Sequence, residues 1–251
     1  MNGPAKVFVG CAGWSLGREH APAFPGDGTH LQRYARQFNT AEINSSFYRP
    51  HRPQTYARWA ESVPDDFRFS VKVPKLISHE QRLQGSAKAL DEFLGQCGEL
   101  GERLGCLLLQ LPPSLAFEAD VAEAFFTRLR ERFPGPLVIE PRHESWVQAE
   151  PMLAGHRIAQ AGVDPSRLSN DRQPSGWAGL RYWRLHGAPR IYYSAYGTDY
   201  LVHLAAALHA QAQGGAPVWC IFDNTASGAA TADALQLIEL LQMLELRGPP
   251  L

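Results

Sequence analysis

Cys106-Leu107-Leu108-Leu109-Gln110-Leu111 runs apolar almost without a break and stops at Pro112-Pro113. A strand with one wet face alternates apolar and polar residues. A strand covered on both faces does not, and continuous runs of this kind mark parallel sheets between layers of helix. Two successive prolines remove two backbone donors, so the run ends there. Just upstream, Ala87–Leu104 reads as one long helix, because Leu90, Phe93, Leu94, Cys97, Leu100 and Leu104 keep the i, i+3, i+4 spacing. Before it, Phe67–Val73 alternates with period two. Just downstream, Val121, Phe125 and Leu129 mark another helix.

The same alternation extends to both ends. Val7–Trp14 and Thr40–Tyr48 are the first two strand candidates, with helices at Leu31–Phe38 and Thr55–Glu61. Beyond the fourth strand, Pro136–Arg142 is the fifth, Glu144–Ala161 is expected to be helical, and Arg167–Asp171 is a weak sixth strand. Leu180–His186 is the seventh and Val218–Asn224 the eighth, with helices at Leu201–Ala212 and Thr231–Leu244. Strand–helix alternation implies a parallel sheet. Eight repeats over 251 residues fit a (β/α)8 TIM-type barrel better than an open sheet. One unit is defective, because 172–179 is too short and too broken for a helix, so an irregular α/β barrel is expected. No linker or repeat divides the chain, and 1–251 reads as a single domain with its core at about 7–244.

Composition narrows the function classes. Lys and Arg total 24 against 25 Asp and Glu, a net charge of -1. No global positive field draws the protein to nucleic acid or to anionic lipid. No apolar stretch reaches the roughly 18 residues of a membrane span, and no signal region opens the chain. Cys11, Cys97, Cys106 and Cys220 form no C-x-x-C pair and sit in apolar runs, as core cysteines in a reducing compartment do. A cytoplasmic location is expected.

The strands, apolar along their length, finish in polar or aromatic residues: Trp14; Glu42, Asn44 and Tyr48; Lys72; Gln110; Glu140, Arg142 and His143, with Trp146 beyond; Asp171; Arg184 and His186; Asp223 and Asn224. In a parallel barrel these ends share one mouth, where active sites of such barrels lie. Each buried polar group left unpaired costs about 1–3 kcal/mol, so stability alone does not explain them.

These strings also carry a family resemblance. Gly10-Cys-Ala-Gly13-Trp14, Glu42-Ile-Asn44-Ser-Ser-Phe47-Tyr48, Phe69-Ser-Val-Lys72, Gln110-Leu-Pro112, Glu140-Pro-Arg142-His143-Glu-Ser145-Trp146, Tyr182-Trp-Arg184-Leu-His186-Gly187 and Phe222-Asp223-Asn224-Thr225 resemble, in this order, the YecE-like family, domain of unknown function 72. The resemblance runs from about Val7 to about Leu244. It implies a TIM-type barrel with an uncharacterised cleft.

Glu42 and Glu140 are the expected acid/base pair, since two carboxylates in one mouth can have their pKa values pushed apart; the alternative for each is a structural ion pair. Lys72 is expected to clamp an anion, form a Schiff base, or simply bridge to Glu42 or Glu140. Arg142 and Arg184 suit bidentate recognition of carboxylate or phosphate, or orientation of the glutamates. His186, with His143 and His79 behind it, is a candidate proton shuttle. Trp14, Tyr48, Trp146, Tyr193 and Tyr196 would supply flat walls or core packing. Asn44, Gln110, Asp171, Asp223 and Asn224 complete the substrate contacts. No nucleotide loop, zinc spacing or nucleophile elbow occurs, so no cofactor is expected. A divalent metal stays open, since Glu42, Glu140, Asp171, His186 and Asp223 could form an oxygen-rich site. The leading function is acid/base catalysis, as a hydrolase, lyase or isomerase, on a small anionic or sugar-like substrate. Nucleic-acid processing or binding, and non-catalytic small-molecule binding, rank behind it.

Overall fold

The computed structural model describes residues 4–247. Strands and helices alternate through β1 (Val7–Cys11), α1 (His30–Tyr34), β2 (Thr40–Ile43), α2 (Pro53–Glu61), β3 (Arg68–Lys72), α3 (Ala87–Cys97), β4 (Leu104–Gln110), α4 (Ala119–Arg132), β5 (Leu137–Glu140) and α5 (Glu150–Gly155). They continue through β6 (Ile158–Gln160), β7 (Gly162–Asp164), β8 (Ser175–Gly176), β9 (Arg181–Leu185), α6 (Thr198–Gln213), β10 (Val218–Phe222) and α7 (Ala229–Arg247). The result is one α/β domain with a TIM-barrel-like arrangement.

The strands form two sheets, ordered β1-β10-β9-β7 and β2-β3-β4-β5-β6-β8. Every pairing is parallel except β6 with the two-residue β8. The ladders do not join into one closed ring. At one seam β1 and β2 meet through a bridge between Ala12 and Glu42, and Gly13 N–H donates to the Glu42 carbonyl at 2.8 Å. Gly10 permits this approach, since a Cβ there would strike the Thr40 carbonyl oxygen. At the other seam the chain changes partner at Ala161: β6 pairs with β5, whereas β7 pairs with β9.

This second seam corrects the expectations for the sixth unit. The strand lies at Ile158–Asp164, whereas 167–171 is a loop with a turn at Ser169-Asn170. The helix expected over Glu144–Ala161 is a 3-10 turn, Glu144–Ala149, followed by the short α5. Arg157, at φ 55, turns the chain out of it. The segment after β7 then folds back along the strand in place of a helix. Val163 N–H donates to the Asp171 carbonyl, and a Cβ on Gly162 would strike Pro174. The missing helix leaves a cleft of about 500 Å³ lined by Val163, Trp183, Tyr200 and Leu204. The long helix expected over Ala87–Leu104 also ends early, at Cys97. Gly101 (φ 53) takes a conformation closed to most side chains, and Leu104 already belongs to β4.

Two apolar layers position the site. Outside the strands, Leu90 and Phe93 of α3 and Phe125, Phe126 and Leu129 of α4 pack on Leu107, Leu109 and Ile139. Between the strands lies a second cluster with Phe8, Cys106, Leu108, Val138, Tyr182, Trp219 and Ile221. Side chains on a strand alternate in direction. Two residues beyond this inner layer, on the same face, stand Gln110, Glu140, Arg184 and Asp223. The inward face is thus apolar at the bottom and ionic at the C-terminal end.

Candidate active site

Arg184 is the centre of the ionic layer. From β9 it donates through Nε and Nη2 to both oxygens of Glu42 on β2, at 3.0 and 2.8 Å. Its Nη1 donates to Glu140 Oε2 at 3.1 Å, and Nη2 lies 2.9 Å from Asp223 Oδ2. All four residues are buried. Burial disfavours the guanidinium, but Asp223, Glu42 and Glu140 outweigh it and raise the Arg184 pKa well above its ordinary value. Beneath, the Tyr182 hydroxyl donates to Glu42 Oε2 at 3.2 Å and touches Ser70.

Glu140 collects further donors. Gln110 Nε2 and Arg142 Nε both reach Oε1, at 2.9 and 3.0 Å. Burial pushes its pKa up, but Arg184, His186 and Arg142 hold it well below the carboxylate range. His186, fully buried, lies between two carboxylates. Nδ1 is 2.9 Å from Asp223 Oδ2, and Nε2 is 3.3 Å from Glu140 Oε1, off the line of a hydrogen bond. Burial opposes the imidazolium, yet Glu140 and Asp223 prevail and raise its pKa. Burial likewise opposes the Asp223 carboxylate, and Arg184 and His186 bring its pKa below the usual value.

Lys72 ends β3 and is 4% exposed. The expected salt bridge to Glu42 or Glu140 does not form: among the described residues no carboxylate lies within 4.0 Å of Nζ. The ammonium sits 4.3 Å from the centre of the Phe47 ring instead. Burial, and then the charge of Arg184, lower its pKa to about 8. His79 packs edge-on to the same ring, and burial with Lys72 and Arg142 lowers its pKa. Two amide oxygens, Asn44 Oδ1 and Asn224 Oδ1, are buried without a hydrogen-bond partner. The Asn224 amide is fixed by Ser194 and Asp233.

The structure therefore brings together Glu42, Lys72, Gln110, Glu140, Arg142, Arg184, His186 and Asp223. It separates others. Asp171 accepts from Ser166 Oγ and from the N–H groups of Arg167 and Leu168, so both its oxygens cap its own loop. Trp146 lies in the outer apolar layer against Phe117, its indole N–H on the Leu115 carbonyl. His143 caps the 3-10 turn that follows β5. Tyr193 lies outside, under Arg190, and the Tyr196 hydroxyl ties Gly187 to Asp164. Tyr48 is 67% exposed, and Trp14 packs on Trp59 and Phe69.

Tyr192, not Tyr193, is the loop aromatic at the site. Its ring meets His186 edge-on at 5.7 Å, its phenol sits beside Arg142, and it holds φ 71. Ser70 and Tyr182, with the Phe47 ring under Lys72, are further members, and chain order alone did not single out the first two. The first two stand one strand period before Lys72 and Arg184, which is the signal that finds them.

The oxygen-rich metal site left open by the sequence does not assemble. Asp171 is committed elsewhere, Arg184 occupies the point that three carboxylates share, and no metal-binding group of His, Cys, Asp and Glu occurs among the described residues. A cavity of about 1190 Å³ lies at the opposite end of the strands, lined by Val7, Phe38, Asn39, Ile238 and Leu241 among others. Its lining lacks the buried ionic groups of the strand ends. No helix among the described residues is long and apolar enough to cross a membrane.

Comparison with known proteins agrees with this architecture. UPF0759 protein YecE of Escherichia coli (strain K12) is 37% identical over 106 residues, 42% of this chain and 38% of that protein's length. UPF0759 protein YunF of Bacillus subtilis (strain 168) is 22% identical across 94% of this chain and 95% of its own. The crystal structure of a DUF72 family protein from Enterococcus faecalis V583 superposes with a TM-score of 0.80 at 24% identity, covering 94% of this chain and 96% of that one. One from Thermotoga maritima MSB8 gives 0.77 at 25% identity, covering 94% and 99%. The family model described as protein of unknown function DUF72 matches residues 8–250, and the chain belongs to that family.

Proposed function

We propose that this protein is an enzyme that takes a small anionic substrate at the C-terminal mouth of a TIM-type barrel and moves protons there through His186. One observation carries the reading. The buried cluster holds Arg142, Arg184, Lys72 and a His186 biased toward its charged form, against the carboxylates of Glu42, Glu140 and Asp223. The cation without a carboxylate within 4.0 Å among the described residues, Lys72, faces the same layer. A bound anion would supply a counter-charge and an acceptor for Arg142 Nη2 and His186 Nε2, both buried without a hydrogen-bond partner.

The roles follow from the contacts. Glu140 stays a carboxylate, pinned by three neighbours, so it serves as the charge partner of His186 rather than as a proton carrier. Glu42 fixes Arg184 with both oxygens. Asp223 orients the His186 ring through Nδ1, which leaves Nε2 to exchange a proton. Lys72 and Arg142 hold the anion, with Tyr192 covering His186.

Hydrogen exchange in D2O tests this without knowledge of the overall reaction. A panel of small hydroxy acids, keto acids and sugar phosphates is incubated with the protein and followed by proton NMR. At least one member should lose a C–H signal with the native chain and retain it with His186→Gln. Exchange that survives His186→Gln, or none anywhere in the panel, overturns the proposal.

A further inference from the structure

We propose that Lys72 forms a covalent imine with a substrate carbonyl, so that the site takes small keto acids or phosphorylated aldehydes and ketones. This rests on the anionic-substrate reading and deepens it.

The chain has four lysines: Lys6, Lys72, Lys75 and Lys88. Three lie at the surface beside a carboxylate: Lys6 by Asp66 at 2.8 Å, Lys75 by Glu80 at 3.3 Å and Lys88 by Glu92 at 3.9 Å. Lys72 is buried at a strand end, has no ion pair among the described residues, and stands among the ionic groups of the mouth. Holding an anion needs only fixed charge, which arginine supplies without titrating. An arginine at position 72 would therefore hold the anion as well. What a lysine adds is an amine that can give up its proton, and a buried lysine near another cation is the environment that favours this. The groups facing it are Arg184 from β9, Glu42 from β2, Glu140 from β5 and Asp223 from β10, with His79 and Arg142 at the rim. Burial and Arg184 outweigh the carboxylates, and the amine titrates at about 8.

The step balances. The Nζ lone pair attacks the carbonyl carbon and forms a C–N bond, and one amine proton passes to the carbonyl oxygen to give a carbinolamine. A second proton, from an imidazolium such as His186, lets that hydroxyl leave as water and yields the iminium. Amine, carbonyl and the imidazolium proton are consumed, and iminium, one water and neutral imidazole are produced.

Reductive trapping tests the proposal on the full chain. Pyruvate, glyoxylate and glycolaldehyde phosphate are each added with cyanoborohydride, and labelled peptides are mapped by mass spectrometry. L-lactate and ethyl phosphate, which keep the charge and lack the carbonyl, report anion binding separately by ligand-observed NMR. At pH 7 Lys72 should be labelled at least about tenfold faster than Lys6, Lys75 or Lys88, since its neutral fraction is far larger. The rate should rise with pH and level off above about 8. Lys72→Arg should abolish the label while L-lactate or ethyl phosphate still binds. Binding of those anions with no Lys72 label from any carbonyl probe, or labelling spread evenly over the four lysines, overturns the imine and leaves the anion site standing. No binding and no label overturns both.

Discussion

Replacing Arg184 with methionine should be the most damaging single change at the site. The guanidinium supplies two of the three donors to Glu42, one of those to Glu140 and a close contact to Asp223, all out of solvent. Without it, Glu140 keeps Gln110 and Arg142, and Asp223 keeps His186. Glu42 keeps only the Tyr182 hydroxyl and becomes the orphaned charge. Leaving one buried charge unpaired costs about 3–5 kcal/mol, which is a large part of the 5–15 kcal/mol that stabilises a typical domain. For a chain of this size that corresponds to a Tm lowered by about 6–20 °C. Thermal and urea unfolding of the native chain and Arg184→Met measure it. The double variant Arg184→Met/Glu42→Gln removes the orphan and should recover at least half of the loss. A single-variant shift below about 2 °C, or a double variant no better than the single, refutes the assignment of Arg184 as the counter-ion of the cluster.

Other outcomes follow from the same contacts. His186 has a raised pKa, so the stabilisation it draws from Glu140 and Asp223 is complete below its unfolded value of about 6.5 and is lost as pH rises through the folded one. The stability gap between the native chain and His186→Gln should narrow from pH 6.5 upward, and urea titrations showing a widening gap contradict it. Asp171→Ala should cost about 1–3 kcal/mol by freeing the Arg167 and Leu168 N–H groups, with anion binding unchanged by calorimetry; lost binding would return Asp171 to the site. Gly10→Ala should lower stability by about 1–3 kcal/mol or more, because its Cβ strikes the Thr40 carbonyl at the β1–β2 seam. A Tm equal to that of the native chain would contradict close contact between β1 and β2 at the seam.

Much of this was legible because β-strands have period two. Cys106, Leu108 and Gln110, or Tyr182, Arg184 and His186, lie on one face of their strands, so a polar residue at the end of an apolar run points into the mouth. The sixth unit was not legible. Ile158–Gln160 and Gly162–Asp164 are too short to outvote the helical residues before them, and the break at Arg157 is a backbone conformation that composition does not reveal. The 190s loop showed a related limit. Tyr192 and Tyr193 are adjacent and chemically identical, and only the backbone conformation at Tyr192 decides which ring meets His186. Trp146 and Asp171 failed for a different reason: each follows a strand end in sequence, yet each is consumed by local needs, an outer core and a loop cap.

The claim on which the rest depends is that a small anion binds in the ionic layer and not in the cavity at the other end of the strands. Ligand-observed NMR with a panel of small carboxylates and phosphates tests it on the native chain, Lys72→Met and Lys6→Met, the last placed at that opposite cavity. Binding should persist in Lys6→Met and disappear in Lys72→Met. Binding that survives Lys72→Met, or that Lys6→Met abolishes, would contradict the site.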